Sequence, residues 1–199
     1  MTPAAFALLA ANVAVFVLQG LAGPEVFVRF ALWPPGQGAD QPAFELWQLV
    51  TYGFLHGSLT HIAFNMLSLY MFGPDLERLF GSRFFVQYYF VCVVTAALTH
   101  LAVTALAGGP ALPTVGASGA MFGLLLAFGW YFPQRRVVLL IPPIPMPARV
   151  FVTVYGALEL FLGVTGTASG VAHFAHLGGM LGGWLMLQYR RRGFPFNGR

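Results

Sequence analysis

The sequence predicts an all-α polytopic membrane protein: a bundle of six transmembrane helices in a single membrane domain over residues 1–199. Composition is the first reason, because 58% of the residues are hydrophobic and 8% are charged, whereas about a quarter of the residues in soluble domains carry a charge. Mean hydropathy is accordingly high, at +0.74. Long apolar segments are the second reason, since ~20 mainly apolar helical residues cross ~30 Å of hydrocarbon. The alternation typical of strands is absent from the sequence.

Six apolar segments meet or approach the length of a membrane span: residues 4–21, 49–72, 84–107, 115–132, 148–164 and 171–189. The first segment lacks a basic leading region and a clear A-x-A cleavage site, so we interpret it as a retained span and not as a signal peptide. The fifth segment is the shortest. The proline-rich residues 141–147 before it predict a stiff linker that cannot be helical.

The placement of charge predicts the orientation in the membrane. All ten basic residues are arginine. With six spans, every arginine except Arg29 falls in the loop after the second span, in the loop after the fourth span or in the C-terminal tail. These regions share one side, which the positive-inside rule makes cytoplasmic, together with both termini. The excess of basic residues therefore indicates membrane topology and predicts no nucleic-acid partner. Arg190-Arg191-Arg192 can also contact the headgroups of membrane lipids.

Two loops on the other side of the membrane have distinctive compositions. Residues 22–48 combine four prolines with clustered aromatic side chains, which favours a folded element at the membrane interface; a flexible connector is the alternative. Residues 163–170 are rich in glycine and small polar side chains and come shortly before the sixth segment. We expect them to form a mobile cap over a site on that side.

A serine and a histidine within apolar segments are the leading candidates for chemistry, because polar side chains in hydrocarbon are costly and usually functional. Ser118 begins the glycine-rich core of the fourth segment and His176 lies near the start of the sixth. Both are followed by glycines four residues apart, at Gly119/Gly123 and Gly179/Gly183. Small residues at this spacing let two helix backbones approach closely. Such an approach would bring the Ser118 hydroxyl within reach of the His176 imidazole, as a nucleophile and its base require.

A second polar pair lies in the second segment. His61 and Asn65 are four residues apart and therefore share one helix face. Two hydrogen-bond donors on one face could stabilise a developing oxyanion, and an interhelical polar clamp is the alternative. His56 lies near the outer end of the same segment, and we expect it to support this cluster.

A carboxylate that orients the histidine would complete a catalytic triad, but no acidic residue is obviously paired with His176. We interpret Glu159 as an interface carboxylate with local hydrogen bonds, and we therefore expect a Ser–His dyad. His61, His173 and His176 are the natural candidates for a zinc site. However, H-E-x-x-H and an acidic residue in register with them are missing, so we predict no metal and no cofactor.

The motifs, taken in order, resemble those of the rhomboid family of intramembrane serine proteases with a bacterial-type six-span core. The family's H-x-x-x-N in the second span corresponds to His61…Asn65, and its G-x-S-G at the head of the fourth span to residues 116–119. Its A-H-x-x-G-x-x-x-G in the sixth span corresponds to residues 175–183, and its E-x-x-x-G to Glu77…Gly81. The resemblance covers about residues 42–190, the expected rhomboid core, plus the first span.

The resemblance implies a function: a serine endopeptidase that cleaves transmembrane segments of membrane-protein substrates, in a bacterial plasma membrane. Ser118 would be the nucleophile and His176 its general base. His61, Asn65 and the Ser118 backbone N–H would form the oxyanion hole. A catalytically inactive rhomboid-like protein that binds transmembrane helices is the alternative, and a small transporter is a second. The intact catalytic set argues against the first, and the lack of paired membrane charges or an internal repeat argues against the second.

The resemblance also implies supporting roles around the site. Phe64 matches an aromatic beside the route of substrate access, and Gly116 belongs to the turn before the nucleophile. Phe122 takes the place of the usual tyrosine that stacks on the catalytic histidine, so the stacking surface remains and a hydroxyl is lost. A second departure is Trp47-Gln48, where the family often has W-R, so whatever that arginine anchors must be held in another way.

Overall fold

The computed structural model describes residues 1–35, 41–107, 112–138, 143–165 and 172–192. This part of the chain is a bundle of α-helices with a short β-hairpin. In chain order the elements are α1 (Pro3–Ala22), α2 (Pro24–Phe30), α3 (Gln48–Thr51), a 3-10 turn (Tyr52–Phe54), α4 (Leu59–Phe80), α5 (Ser82–Ala107), α6 (Ser118–Tyr131), β1 (Arg136–Val138), β2 (Pro145–Pro147), α7 (Ala148–Thr165) and α8 (His173–Arg191).

Each of the six apolar segments contains one of the longer helices, namely α1, α4, α5, α6, α7 and α8. Among the described helices, three are long and apolar enough to cross a membrane: Pro3–Ala22, Ser82–Leu106 and Ala148–Thr165. α6 is apolar but has only 14 residues. α4 and α8, with 22 and 19 residues, are long enough and carry more polar side chains. The predicted all-α membrane bundle is confirmed.

The predicted start of the second segment, at residue 49, is wrong. The residues that follow it form α3 and the 3-10 turn, and α4 begins only at Leu59. Ser58 sets this start, because its Oγ accepts a hydrogen bond from the backbone N–H of His61 at 3.1 Å. An N-cap serine satisfies one of the N–H groups that lack a partner within the helix.

The predicted end of the same segment, at residue 72, is also wrong, because α4 continues to Phe80. Its last turns contain Glu77, a buried carboxylate that caps another helix. The two carboxylate oxygens accept hydrogen bonds from the backbone N–H groups of Ala4 and Ala5 at 3.0 and 2.8 Å, and one also accepts from the Ser82 hydroxyl at 2.6 Å. A negative charge is favourable at the N-terminus of α1, so the polar last turns of α4 join the two helices.

α6 lies at the centre of the bundle and contacts α4, α5, α7 and α8. Its approach to α8 is as close as two backbones allow, because a Cβ atom on Gly179 would overlap the carbonyl of Gly119. Gly178 and Gly182 on α8 face the side chains of α5 in the same way. The close approach of the fourth and sixth segments, which the glycine spacing predicted, is confirmed.

The described part of the loop between α1 and α4 is a folded element, as expected. Gln48 is buried at its centre. Its Oε1 accepts a hydrogen bond from the backbone N–H of Trp33 at 3.2 Å, and its Nε2 donates to the carbonyls of Arg29 and Ala43 at 3.3 and 3.4 Å. A single buried amide therefore ties together three points of the loop where the resemblance had led us to look for an arginine.

Two predicted linkers are described only in part. β1 pairs with β2 as an antiparallel hairpin between α6 and α7, so the described end of the proline-rich linker is extended and not helical. Residues 139–142 lie outside the described residues. In the loop expected to cap the site, residues 163–165 belong to the last turn of α7, and residues 166–170 lie outside the described residues.

Candidate active site

Ser118 and His176 meet at the beginnings of two neighbouring helices. Ser118 is the first residue of α6, and His176 lies in the first turn of α8. The distance from Ser118 Oγ to His176 Nε2 is 2.8 Å. The contact between Gly119 and Gly179 lies one residue after the serine and three after the histidine, so it allows the two side chains to reach each other. This arrangement is what a serine nucleophile and its base need.

Gly116 shapes the turn that leads to Ser118. Its φ angle is +124°, a conformation that side-chain-bearing residues rarely adopt. Its N–H donates a hydrogen bond to the Tyr52 carbonyl at 2.9 Å. A Cβ atom at this position would lie 2.6 Å from two atoms of the His61 ring, Cε1 and Nε2. The glycine is therefore needed both for the turn and for the approach of His61 to the serine.

His61 and Asn65 line the same cavity as Ser118 and His176. The N–H of Gly57 donates a hydrogen bond to His61 Nδ1 at 3.4 Å, so a neutral His61 carries its proton on Nε2, the ring nitrogen beside Gly116. Asn65 is buried, and its Nδ2 donates to the His61 carbonyl at 3.1 Å. Because an amide nitrogen carries two hydrogens, one donor of Asn65 remains for the cavity.

His56 packs behind this pair. Its ring meets the His61 ring edge-on, with 5.1 Å between the centroids. Its backbone N–H donates to the Gln19 side chain at 3.2 Å, and the Gln19 amide donates back to its carbonyl at 2.9 Å. His56 thus joins α1 to the start of α4, and its ring packs against the His61 ring.

The cavity has a volume of about 720 Å³. Phe122 forms part of its wall and stacks on the His176 ring, with the centroids 4.4 Å apart and the planes at 10°. The stacking surface is therefore kept without a tyrosine hydroxyl. The lining residues are Gly57, His61, Phe64, Asn65, Ser68, His100, Leu112, Pro113, Thr114, Val115, Ser118, Met121, Phe122, Ala172 and His176.

An apolar groove of about 360 Å³ opens beside the cavity, between α4 and α7 and over α6. Phe64, which is 51% exposed, lines both the groove and the cavity. On the opposite wall lie Phe151 and Tyr155 of α7. The groove shares Ser68, Met121 and Phe122 as well as Phe64 with the cavity that holds the serine, so the two adjoin.

Glu159 corrects the expectation that no carboxylate pairs with His176. One of its carboxylate oxygens, Oε2, lies 2.9 Å from His176 Nδ1 and 2.6 Å from His173 Nδ1. Within the described chain these three buried residues are also a group of potential metal ligands, with ligand atoms within 4.8 Å of one another. His61 does not belong to this group, unlike in the zinc site weighed from the sequence. The sequence did not reveal this pairing because it depends on tertiary packing: α7 packs on α8 at a rotation that turns Glu159 inward.

Two further residues of the site were missed by the sequence reasoning. His100 lines the cavity, and its Nε2 lies 2.7 Å from the hydroxyl of Thr114. Tyr52 holds the turn before Ser118 through its carbonyl, while its hydroxyl donates to the Val93 carbonyl at 2.8 Å. A histidine in an apolar segment was the available signal for the first, and nothing local in the sequence marks the second.

Comparison with known proteins identifies the family of the chain. The family model of the rhomboid domain matches residues 43–193, which is most of the chain. The chain therefore belongs to the rhomboid family. Homologues in this family are intramembrane serine proteases, and the chain is an integral membrane protein.

Three relatives illustrate the range of the similarity. The mitochondrial Rhomboid protein 1 of Saccharomyces cerevisiae is 32% identical over 193 residues, 90% of this chain and 51% of the relative. The rhomboid protease GluP of Bacillus subtilis is 29% identical over 140 residues, 70% of this chain and 25% of the relative. The rhomboid protease GlpG of Serratia proteamaculans is 29% identical over 184 residues, which are 92% of this chain and 61% of the relative. The chain thus spans between a quarter and three fifths of the length of these relatives.

Proposed function

We propose that this protein is an intramembrane serine endopeptidase that cleaves peptide bonds in the transmembrane segments of other membrane proteins. The observation that carries the proposal is the 2.8 Å contact between Ser118 Oγ and His176 Nε2 inside a membrane bundle. Polar side chains within a membrane bundle are costly and are usually functional. Membership of the rhomboid family supports the same reading.

The reaction is acyl transfer through a covalent intermediate. Ser118 Oγ attacks the carbonyl carbon of the scissile bond while His176 Nε2 takes the hydroxyl proton. The same imidazolium then gives that proton to the leaving amine, so that the C–N bond breaks and an acyl-enzyme remains. A water molecule, deprotonated by His176, attacks the ester and releases the second product, which restores the serine.

Three N–H donors surround the position of the developing oxyanion. The first is the backbone N–H of Ser118. It lies at the start of α6. The first hydrogen bond of this helix runs from the N–H of Met121 to the Ala117 carbonyl at 3.1 Å, so the helix itself does not use the N–H of Ser118. The others are Nε2–H of His61 and the second Nδ2–H of Asn65. Fixed donors of this kind stabilise negative charge without reorganisation, and the dipole of α6 adds to them.

The length of α6 explains how water reaches a site inside a bilayer. Its 14 residues extend about 21 Å, about 9 Å less than the ~30 Å thickness of the hydrocarbon. With the Tyr131 end level with one membrane face, Ser118 lies below the other face, at the base of the cavity. Water then enters from that face, and a substrate helix enters from lipid through the apolar groove beside Phe64. A helix hides its carbonyls in hydrogen bonds, so the substrate has to unwind locally at the cut.

The arginines support an orientation with both termini on the cytoplasmic side. Arg135, after α6, pairs with Asp75 of α4 at 2.6 Å, and Arg190, near the end of α8, donates to the Leu79 carbonyl at 3.1 Å. The basic regions therefore gather at the end of the bundle opposite to Ser118, and the positive-inside rule makes that end cytoplasmic. We propose the plasma membrane of a bacterium as the location.

Cleavage by a reconstituted enzyme tests the proposal. The purified protein is incorporated into liposomes with a reporter protein that has one transmembrane segment, and the products are identified by mass. We expect cleavage within or beside the segment, lost in Ser118→Ala. Ser82→Ala is the matched control, because Ser82 also begins a helix but lies at the opposite end of the bundle. A wild-type protein that binds the reporter without cutting it would favour the inactive binding protein instead.

A further inference from the structure

We propose that Glu159 is a positioning residue for the reaction, so that the site works as a triad of Ser118, His176 and Glu159 and not as a dyad. The carboxylate holds the His176 ring in place and stabilises the positive charge that the ring acquires when it takes the serine proton. This inference rests on the proposed proteolytic function and adds a member to its machinery.

The three groups lie in a chain across the His176 ring. Nε2 contacts Ser118 Oγ at 2.8 Å, and Nδ1 lies 2.9 Å from Glu159 Oε2. The second contact is bent: it has the distance of an ion pair without the angle of a good hydrogen bond, and within the described chain the buried Nδ1 has no other partner. Catalytic hydrogen bonds are often poorly aligned in free enzymes and tighten in the substrate complex.

His173 fixes the carboxylate in this position. Its Nδ1 donates a hydrogen bond of 2.6 Å to the same oxygen, and both side chains are buried. Glu159 is therefore held from α8, the helix that also carries His176, although it belongs to α7. A buried charge is costly unless it is paired, and a carboxylate kept between two imidazoles is suited to balance the charge of an imidazolium.

The proton path follows from these contacts. When a proton occupies Nδ1 and points to Glu159, the lone pair of Nε2 faces the serine, which is the tautomer that a general base needs. Ser118 gives its proton to Nε2 as its oxygen bonds to the carbonyl carbon. Glu159 keeps its negative charge throughout, and the Nδ1 proton stays on the ring.

A metal ion is the competing use of the same three side chains. Tetrahedral ligands at about 2.0–2.1 Å from zinc lie roughly 3.3 Å apart. Here the shared oxygen lies 2.6 and 2.9 Å from the two nitrogens, which are the distances of hydrogen bonds and charge pairs. The geometry therefore favours direct contact between the carboxylate and the two rings.

The test compares Glu159→Gln with Glu77→Gln in the full-length protein. Both replace a buried carboxylate in a helix, but Glu77 caps α1 at the far end of the bundle. We expect Glu159→Gln to lower kcat roughly 10²-fold with little change in KM. The loss is smaller than the ~10⁴-fold loss known for soluble triads because the contact is bent. The labelling rate of Ser118 by a fluorophosphonate should fall in parallel. Glu77→Gln should lower Tm and leave kcat per folded molecule unchanged.

Four outcomes overturn the proposal. In the first, Glu159→Gln behaves like Glu77→Gln, with a lower Tm and an unchanged kcat. In the second, a chelator abolishes wild-type activity and Zn²⁺ restores it, which assigns the cluster to a metal. In the third, Glu159→Gln does not insert, and His173→Ala, which frees the carboxylate, leaves kcat unchanged. In the fourth, the wild-type protein neither cleaves nor labels, which refutes the proposed function itself; the first three leave that function standing.

Discussion

Replacement of Gly179 by alanine tests whether the close approach of α6 and α8 is what makes the Ser118–His176 contact. The added Cβ atom would overlap the carbonyl of Gly119 and lie 2.5 Å from its carbonyl carbon. Non-bonded carbon atoms pack at about 3.5–4.0 Å, so the two helices have to separate by about 1 Å. The Ser118 Oγ–His176 Nε2 distance of 2.8 Å then exceeds the range of a hydrogen bond.

The expected loss of activity is large and the expected loss of stability is moderate. A misplacement of ~1 Å in a reacting pair costs about 10²-fold in rate. Overpacking costs about 1–3 kcal/mol, and the better helix propensity of alanine offsets up to ~1 kcal/mol of that. Turnover of a transmembrane reporter in liposomes, divided by the folded fraction, measures the first quantity. Thermal unfolding in detergent measures the second.

Gly182→Ala is the matched control. Its Cβ atom would collide with the Thr95 side chain of α5 and not with α6, so we expect a comparable decrease in Tm with a smaller loss of turnover. If Gly179→Ala retained turnover within a few-fold of the wild type, or if Gly182→Ala lost just as much, the packing of α6 on α8 would not be what sets the catalytic distance.

Two other perturbations probe the oxyanion donors and the route of the substrate. Asn65→Ala should lower kcat by ~10²-fold with little change in KM, the scale for loss of one oxyanion donor; a lower Tm with unchanged turnover would instead identify a structural clamp. Phe64→Ala should raise the cleavage rate of transmembrane substrates or broaden their range, because it widens the groove. Conversely, a crosslink between cysteines at Phe64 and Tyr155 should suppress that cleavage, and normal cleavage by the crosslinked enzyme would rule out access through the groove.

The parts of the fold and site that the sequence could predict are those that leave a local pattern. The apolar segments follow from composition, and the approach of α6 to α8 follows from the spacing of Gly119/Gly123 and Gly179/Gly183. Polar side chains in such segments stand out because hydrocarbon makes them costly. Ser118, His176, His61 and Asn65 are therefore recognisable from the sequence alone, and the structure brings all four to one cavity.

The parts that the sequence could not predict depend on tertiary geometry. Glu159 lies near the end of an amphipathic helix, and only the rotation of α7 against α8 decides whether it faces lipid headgroups or His176. Gln48 replaces an expected arginine because its amide reaches three backbone groups of a loop whose path is not a local property. The start of α4 was missed because Ser58 and the preceding 3-10 turn lie within a segment that is apolar on average, and average hydropathy does not separate one helix from the next.

Active-site labelling measures the central claim most directly. The detergent-purified protein is treated with a fluorophosphonate, digested, and the site of the adduct is identified by mass spectrometry. The account predicts one adduct, on Ser118, that forms in the wild-type protein and is lost in Ser118→Ala. His176→Ala should slow its formation strongly, because no base then takes the serine proton. An unlabelled Ser118 in the folded protein, or equal labelling in His176→Ala, would contradict the account.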